Sequence, residues 1–283
     1  MPKQRIAYLG PDGSFTSIAL RAYLSASDVD ATPQSFSSIV ELFDALNGHE
    51  VDQVIVPIEN SLGGEVYATL DGLMQLSDQF CIQNELYLPV EQSLLASTKL
   101  DPTEIQRIYT HPQSYSQCAA FIKAQCQQAS FIACSSNAEA AIKVSQSEPG
   151  EKAAVIAHKS VADLYKLSLI QEAINDNTDN TTRFVVISKH RPKPSGQDKS
   201  SFIFSTHKDK PGSLCELLLE LSNRHINMTR ITSRPSKGAL GDYVFFIDCV
   251  GHAEQELKDC LAVIKEKSAY FRFLGSYPQG ALC

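Results

Sequence analysis

The run SKHRPKPSGQDKS, residues 188–200, gathers proline, glycine, serine and charge between two apolar stretches, TRFVVIS before it and SFIFSTH after it. Such a composition supports neither helix nor strand, so the run reads as a linker. It divides the chain into residues 1–188 and 201–283, joined by 189–200. A length of 283 residues suits two domains.

Upstream of the linker, strand patterns alternate with helical ones. RIAYL (5–9), QVIVPI (53–58), IQRIYT (105–110), SFIA (130–133) and KAAVIA (152–157) read as strands, with TRFVVIS last. One helix carries Phe15, Ile18, Ala19, Ala22 and Tyr23 on a face; the next, opened by the capping pair Ser38 and Glu41, carries Ile39, Leu42, Phe43 and Leu46. Further helical patterns lie at 116–126 and 136–146. The alternation predicts an α/β domain with a largely parallel sheet. Segments near 80–97 and 171–184 read as crossings between two lobes, with a binding cleft between them.

Downstream the order is strand 201–207, helix 212–224, strand 227–235, strand 242–250, helix 253–266 and strand 270–277, the ferredoxin-like βαββαβ pattern. Leu214, Leu217, Leu218 and Leu221 form one stripe on the first of these helices, and Ser213 with Glu216 reads as its capping pair.

A net charge of −7 and a pI near 5.5 leave no basic stripe for a phosphate backbone, so nucleic acid is not an expected partner. No apolar run approaches the ~20 residues that span a bilayer. The opening MPKQRIAYLG enters a strand pattern without an export-type apolar core, so no membrane partner and a cytoplasmic location are expected. The eight cysteines are scattered, without C-x-x-C, zinc spacing or H-E-x-x-H, and read as reduced thiols without a metal or other cofactor.

Four polar segments follow or open strands, where parallel sheets place ligands. LGPDGSF (9–15) reads either as a structural turn or as an anion site at a helix start. VPIENSLGG (56–64) sets Glu59, Asn60 and Ser61 beyond a strand, as a turn or as a site for an oxygenated small molecule. YTHPQSYSQC (109–118) offers Thr110, His111, Gln113 and Gln117, with His111 read as a turn residue. TDNTTRF (178–184) offers Thr182 and Arg183; the arginine fork suits a substrate carboxylate, or an internal ion pair.

In this order YLGPDGSF, VPIENSLGG, HPQSYSQC and NTTRFVVI resemble the motifs of prephenate dehydratase, and DKPGSL and TSRP resemble those of its phenylalanine-binding ACT domain. The likeness covers nearly the whole chain. It implies a two-lobed catalytic domain of the type II periplasmic-binding-protein architecture, followed by an ACT domain. It also implies a metal-independent lyase that converts prephenate to phenylpyruvate in phenylalanine biosynthesis.

By the same resemblance Thr182 is the catalytic threonine, and Glu59, Asn60, Ser61, Thr110 and Gln117 line the site. Glu59 competes with Thr182 as proton donor if burial raises its pKa. The resemblance places L-phenylalanine against Gly212, Ser213, Leu214, Asn227, Thr232, Ser233 and Arg234, in an ACT pair that makes a homodimer or homotetramer. The sequence departs from the family at Gly63 and Glu65, where an acidic residue and a serine are usual, and at Thr232, where glutamate is usual. Arogenate, with an ammonium in place of the keto oxygen, is the rival substrate. A non-enzymatic two-lobed amino-acid-binding or sensor protein is the rival of another class.

Overall fold

A computed structural model describes residues 3–27, 29–148, 150–207, 211–236 and 243–282. Asp209 and Lys210 of the DKPGSL motif lie outside the described residues.

The first lobe begins with β1 (Gln4–Leu9), α1 (Phe15–Ala26), β2 (Ala31–Phe36), α2 (Ile39–Asn47) and β3 (Gln53–Asn60). β1 pairs in parallel with β2 and with β3, as helical crossovers require. Ser38 caps α2 as expected, accepting the Glu41 N–H at 3.2 Å. The short β4 (Gly64–Glu65) folds back on β3, and α3 (Tyr67–Gln75) leads to β5 (Cys81–Pro89). Gly72 lets α3 close on α2, because a Cβ there would lie 2.2 Å from the Phe43 ring.

The second lobe contains β6 (Ser93–Ala96), β7 (Arg107–Thr110), α4 (Pro112–Ser116), α5 (Ala119–Gln125), β8 (Ser130–Ala133), α6 (Asn137–Ser145), β9 (Ala153–Ala157), α7 (Val161–Tyr165) and β10 (Ser168–Gln171). The chain then returns as β11 (Thr181–Ser188), which inserts between β3 and β5. The sheet orders are β2-β1-β3-β11-β5 and β10-β6-β9-β7-β8.

Both sheets are mixed, not largely parallel as the alternation suggests. β5 and β11 in one, and β6 and β10 in the other, have antiparallel neighbours. These are the strands that flank the two crossings, and a chain that leaves a lobe and returns through the same hinge reverses direction there. The crossings are narrower than the sequence suggests, because residues 81–89 and 93–96 are already sheet.

The linker is also shorter. β12 (Asp198–Ser205) begins before residue 200, and with α8 (Ser213–Ser222), β13 (Met228–Pro235), β14 (Tyr243–Val250), α9 (Lys258–Lys267) and β15 (Tyr270–Pro278) it builds the ferredoxin-like sheet β13-β14-β12-β15. Gly212, at φ 89°, is the N-cap of α8, so Ser213 is the first helical residue and not its cap.

This sheet is buried on both faces. Phe202, Phe204, Ile247 and Cys249 pack against Leu217 and Leu221 of α8 and Cys260 and Ile264 of α9. Ile203, Phe246, Leu274 and Tyr277 share a core with Leu42 and Leu46 of α2 and Leu70 and Leu73 of α3. Strand alternation thus places one apolar layer toward each neighbour, and the two domains are fused through a common core. The C-terminal tail seals the seam, with Tyr87 N–H donating to Ala281 O at 3.2 Å.

A buried ionic cluster pins the same seam. The Arg183 guanidinium, 4 % exposed, reaches Glu85 (2.7 Å), Asp248 (2.5 Å) and Tyr277 Oη (3.0 Å). Lys199 Nζ donates to Glu85 at 2.6 Å, and Ser201 Oγ donates to Asp248 at 2.5 Å. Burial opposes ionisation of Asp248, but Arg183, Arg230 and the Ser201 hydroxyl outweigh it and hold the carboxyl below the ordinary aspartate range.

A buried pair broken on one side leaves an uncompensated charge, so Asp248→Ala should cost about 3–5 kcal/mol in urea unfolding at pH 7. The depressed pKa makes the Asp248 contribution fully present above the ordinary value of ~3.9 and lost as pH falls through the lower folded value. The gap between wild type and variant should therefore narrow below about pH 4, and an unchanged gap at pH 3 would contradict the assignment.

Candidate active site

On β11 the side chains alternate. Phe184 and Val186 pack with α1, whereas Val185 and Ile187 pack on the opposite face with α2, α3 and the third sheet. Thr182 belongs to the first set and Arg183 to the second. The β3 register repeats this division, with Thr182 opposite Asn60 and Arg183 opposite Glu59.

Asn60 organises the cleft face. Its Oδ1 accepts the backbone N–H groups of Leu62 (3.1 Å) and Gly63 (2.7 Å), which settles its orientation. Its Nδ2 therefore donates to Thr182 Oγ1 (2.9 Å) and Asn180 Oδ1 (2.8 Å). Thr182 Oγ1 is thereby an acceptor toward Asn60. Asn180 is turned the same way, and its Nδ2 is buried without a partner among the described residues. The sequence offers Asn180 only as a neighbour of Thr182, and its bond to Asn60 depends on the amide facing it.

Ser61 is exposed and clasps the neighbouring loop, accepting from Thr181 N–H (3.0 Å) and donating to Asp179 O (3.2 Å). In the second lobe the Thr110 hydroxyl is fully buried against Ile156 O (2.9 Å) and Asn137 Oδ1 (3.1 Å), so it stands behind the cleft surface and not on it. Gln117 is half-buried at the end of α4. His111 is the turn residue expected, its Nδ1 accepting the Gln113 N–H at 3.3 Å as the cap of α4. Gln113 reaches across the cleft, its Nε2 only 3.1 Å from where a Cβ on Gly63 would lie.

The lobes also touch at LGPDGSF. Tyr165 Oη donates to Asp12 O at 2.5 Å, and Gly13, at φ 87°, would set a Cβ 3.1 Å from Val161. Two of its amides are used internally, Gly13 N–H donating to Ser17 Oγ and Ser17 N–H to Ser14 Oγ, as in a structural turn. His158 meets the Phe15 ring edge-on at 6.0 Å, and burial lowers its pKa.

Two expectations fail on the strand alternation. Arg183 is consumed by the interdomain cluster and cannot take a substrate carboxylate. Glu59 lies on the same face as Arg183, within 3.7 Å of it and 3.6 Å of Arg230, and is turned away from Thr182.

The effector residues divide as well. Gly212, Ser213 and Leu214 open α8, and Asn227 lies beside a separate groove with Arg224 and Val250. Ser233 is exposed, but Thr232 Oγ1 donates to Glu65 (2.5 Å) and Arg234 pairs with Asp71 (2.5 Å), so both hold the catalytic lobe. Arg230 adds two more bonds to Glu65, one to each carboxylate oxygen. The Glu65 and Thr232 departures are thus one contact, a carboxylate on the catalytic loop meeting a hydroxyl on the regulatory strand.

A cleft of hydroxyls and amides between two α/β lobes, fused to a ferredoxin-like sheet, defines a two-lobed catalytic unit with an ACT domain. Residues 6–192 match the profile of prephenate dehydratase and residues 201–257 that of the ACT domain. The bifunctional chorismate mutase/prephenate dehydratase of Pseudomonas aeruginosa is 38 % identical over 279 residues, covering 98 % of this chain and 74 % of that protein. The prephenate dehydratase of Methanocaldococcus jannaschii is 34 % identical over 278 residues, covering 96 % and 97 %. The structure of prephenate dehydratase from Arthrobacter aurescens in complex with L-Phe superposes with a TM-score of 0.87 at 33 % identity, covering 97 % of this chain and 90 % of that one. The chain belongs to the prephenate dehydratase family and is a lyase. No helix among the described residues is long and apolar enough to cross a membrane.

Asn60→Asp tests the orientation argument. A carboxylate at 60 would accept the Thr182 proton instead of donating to its oxygen. Turnover should fall by about 10², as on losing one positioned donor, with little change in KM; a kcat within threefold of wild type would refute the polarity assigned to this pair.

Proposed function

We propose that the Thr182 hydroxyl delivers the proton in the decarboxylating dehydration of prephenate. The bond from the ring to its carboxylate breaks, the electron pair enters the ring, and the ring C–O bond breaks as the leaving hydroxyl takes the proton. The products are carbon dioxide, water and phenylpyruvate, and a proton taken up from solvent restores the Thr182 hydroxyl. The observation that carries this reading is the Asn60 N–H bond to Thr182 Oγ1, which leaves the hydroxyl proton directed away from its own network. A threonine is a weak acid, and the gain in aromaticity supplies the driving force that its acidity does not.

The neutral lining suits this chemistry. A cation against the ring carboxylate would hold back its departure as carbon dioxide, and the strand alternation keeps Arg183 behind the sheet. Glu59 serves the domain seam in this reading and not the proton transfer.

L-phenylalanine is the effector of the ACT domain in this proposal, bound where α8 begins at Gly212, Ser213 and Leu214. The relative solved with L-Phe supports it. β13 is a sheet edge on which Ile231 is exposed, a surface suited to pairing two ACT domains in a homodimer or a dimer of dimers. Arg230, Thr232 and Arg234 on β13 then transmit the state of that pair to Glu65 and Asp71. The reaction belongs in the cytoplasm with the rest of aromatic amino-acid synthesis.

Phenylpyruvate formation from prephenate, compared with phenylalanine formation from arogenate, tests the substrate. Thr182→Val should lower kcat about 10²- to 10³-fold, whereas Glu59→Gln should stay within threefold; the reverse pattern would return the proton to Glu59. L-phenylalanine should inhibit the full chain, and Asp71→Asn should weaken that inhibition several-fold with turnover unchanged. Equal inhibition of variant and wild type would remove the β13 contacts from the regulatory path.

A further inference from the structure

The Ser114 side chain only accepts hydrogen bonds. His111 N–H donates to Asn137 Oδ1 at 3.1 Å, so Asn137 presents its Nδ2 to Ser114 Oγ at 2.8 Å. Asn137 Nδ2 also meets Gln92 Oε1 at 3.4 Å, which turns Gln92 Nε2 onto Ser114 Oγ at 3.1 Å. A serine oxygen has two lone pairs, and both are taken. Its own proton has no acceptor among the described residues, although Ser114 is only 6 % exposed.

This hydroxyl sits on the element of the second lobe that meets the Gly63 loop. It occupies the first turn of α4 beside Gln113, which reaches the Gly63 loop held by Asn60. Gln92 follows Val90 in the crossing, and Val90 N–H bonds Asn180 O at 2.7 Å. Gln113 and Gln92, its neighbours in sequence and in space, thus tie Ser114 to the interlobe seam next to the Asn60 loop. Donors pointing into its oxygen strengthen the bond its proton can give.

We propose that Ser114 is a substrate-binding residue, donating its hydroxyl proton to the pyruvyl carboxylate of prephenate, with Gln92 and Asn137 as the residues that position it. The inference rests on the dehydratase reading. The pyruvyl carboxylate is the partner because it survives the reaction as an anion, whereas a donor held on the ring carboxylate would oppose its loss. Thr110, expected at the substrate, belongs behind this serine, contacting Asn137.

A bond to a carboxylate that persists from substrate to product contributes to binding and not to the chemical step. Ser114→Ala should raise KM for prephenate, and the inhibition constant of phenylpyruvate, together by about ten- to thirtyfold, with kcat within threefold of wild type. Ser114→Cys, similar in volume but a weak donor, should move both constants in the same direction and serves if the alanine variant does not fold. Unchanged constants in a folded variant, or a fall in kcat with the phenylpyruvate constant unmoved, would overturn the assignment. Wild-type enzyme in the same assay separates the two readings: failure to form phenylpyruvate from prephenate would sink the dehydratase reading itself.

Discussion

Consecutive residues on a strand point to opposite faces, and at Thr182 and Arg183 that constraint divides the molecule. One face of β11 presents a hydroxyl to the cleft and the next residue buries a guanidinium in the domain seam. The same step on β3 separates Asn60 from Glu59. Catalytic and regulatory contacts therefore share two adjacent strands, so a displacement of either strand is felt on both faces. The buried cluster makes such displacement costly. Arg183, Asp248, Glu85, Lys199 and Tyr277 have left water and are stable only while each retains its partners.

The cleft works by hydrogen-bond direction more than by charge. Backbone N–H groups cannot reverse, so Leu62 and Gly63 orient Asn60, and His111 orients Asn137. Each amide then donates to a hydroxyl, Thr182 in one lobe and Ser114 in the other. Both hydroxyls become acceptors toward the protein and keep a proton for what enters the cleft. In the proposed reading such an arrangement would bind an anion without a fixed cation close to the group that must leave as neutral carbon dioxide.

Much of the architecture was legible in the sequence. Apolar periodicity located most strands and helices, the proline-rich run marked the domain boundary, and the ordered motifs identified the family. The Asn60–Thr182 hydrogen bond joins two of the motifs that the sequence presents far apart. Strand direction in the two lobes was not legible, since a hydrophobic run looks alike whichever way it is paired. Ser114 escaped notice because a lone serine at a helix start is chemically unremarkable until its partners are known.

Composition and pattern alone gave most of the elements, though not β2 between α1 and α2, and the set of polar side chains available for chemistry. Tertiary structure decided which way those side chains face. Arg183 and Glu59 look like site residues in the chain because they adjoin Thr182 and Asn60. Pleating turns them to the ACT domain, while residues 92, 114 and 137 meet across the second lobe. Separation along the chain records neither the face of a strand nor the direction of a hydrogen bond, and here those two quantities select the residues that bind and react.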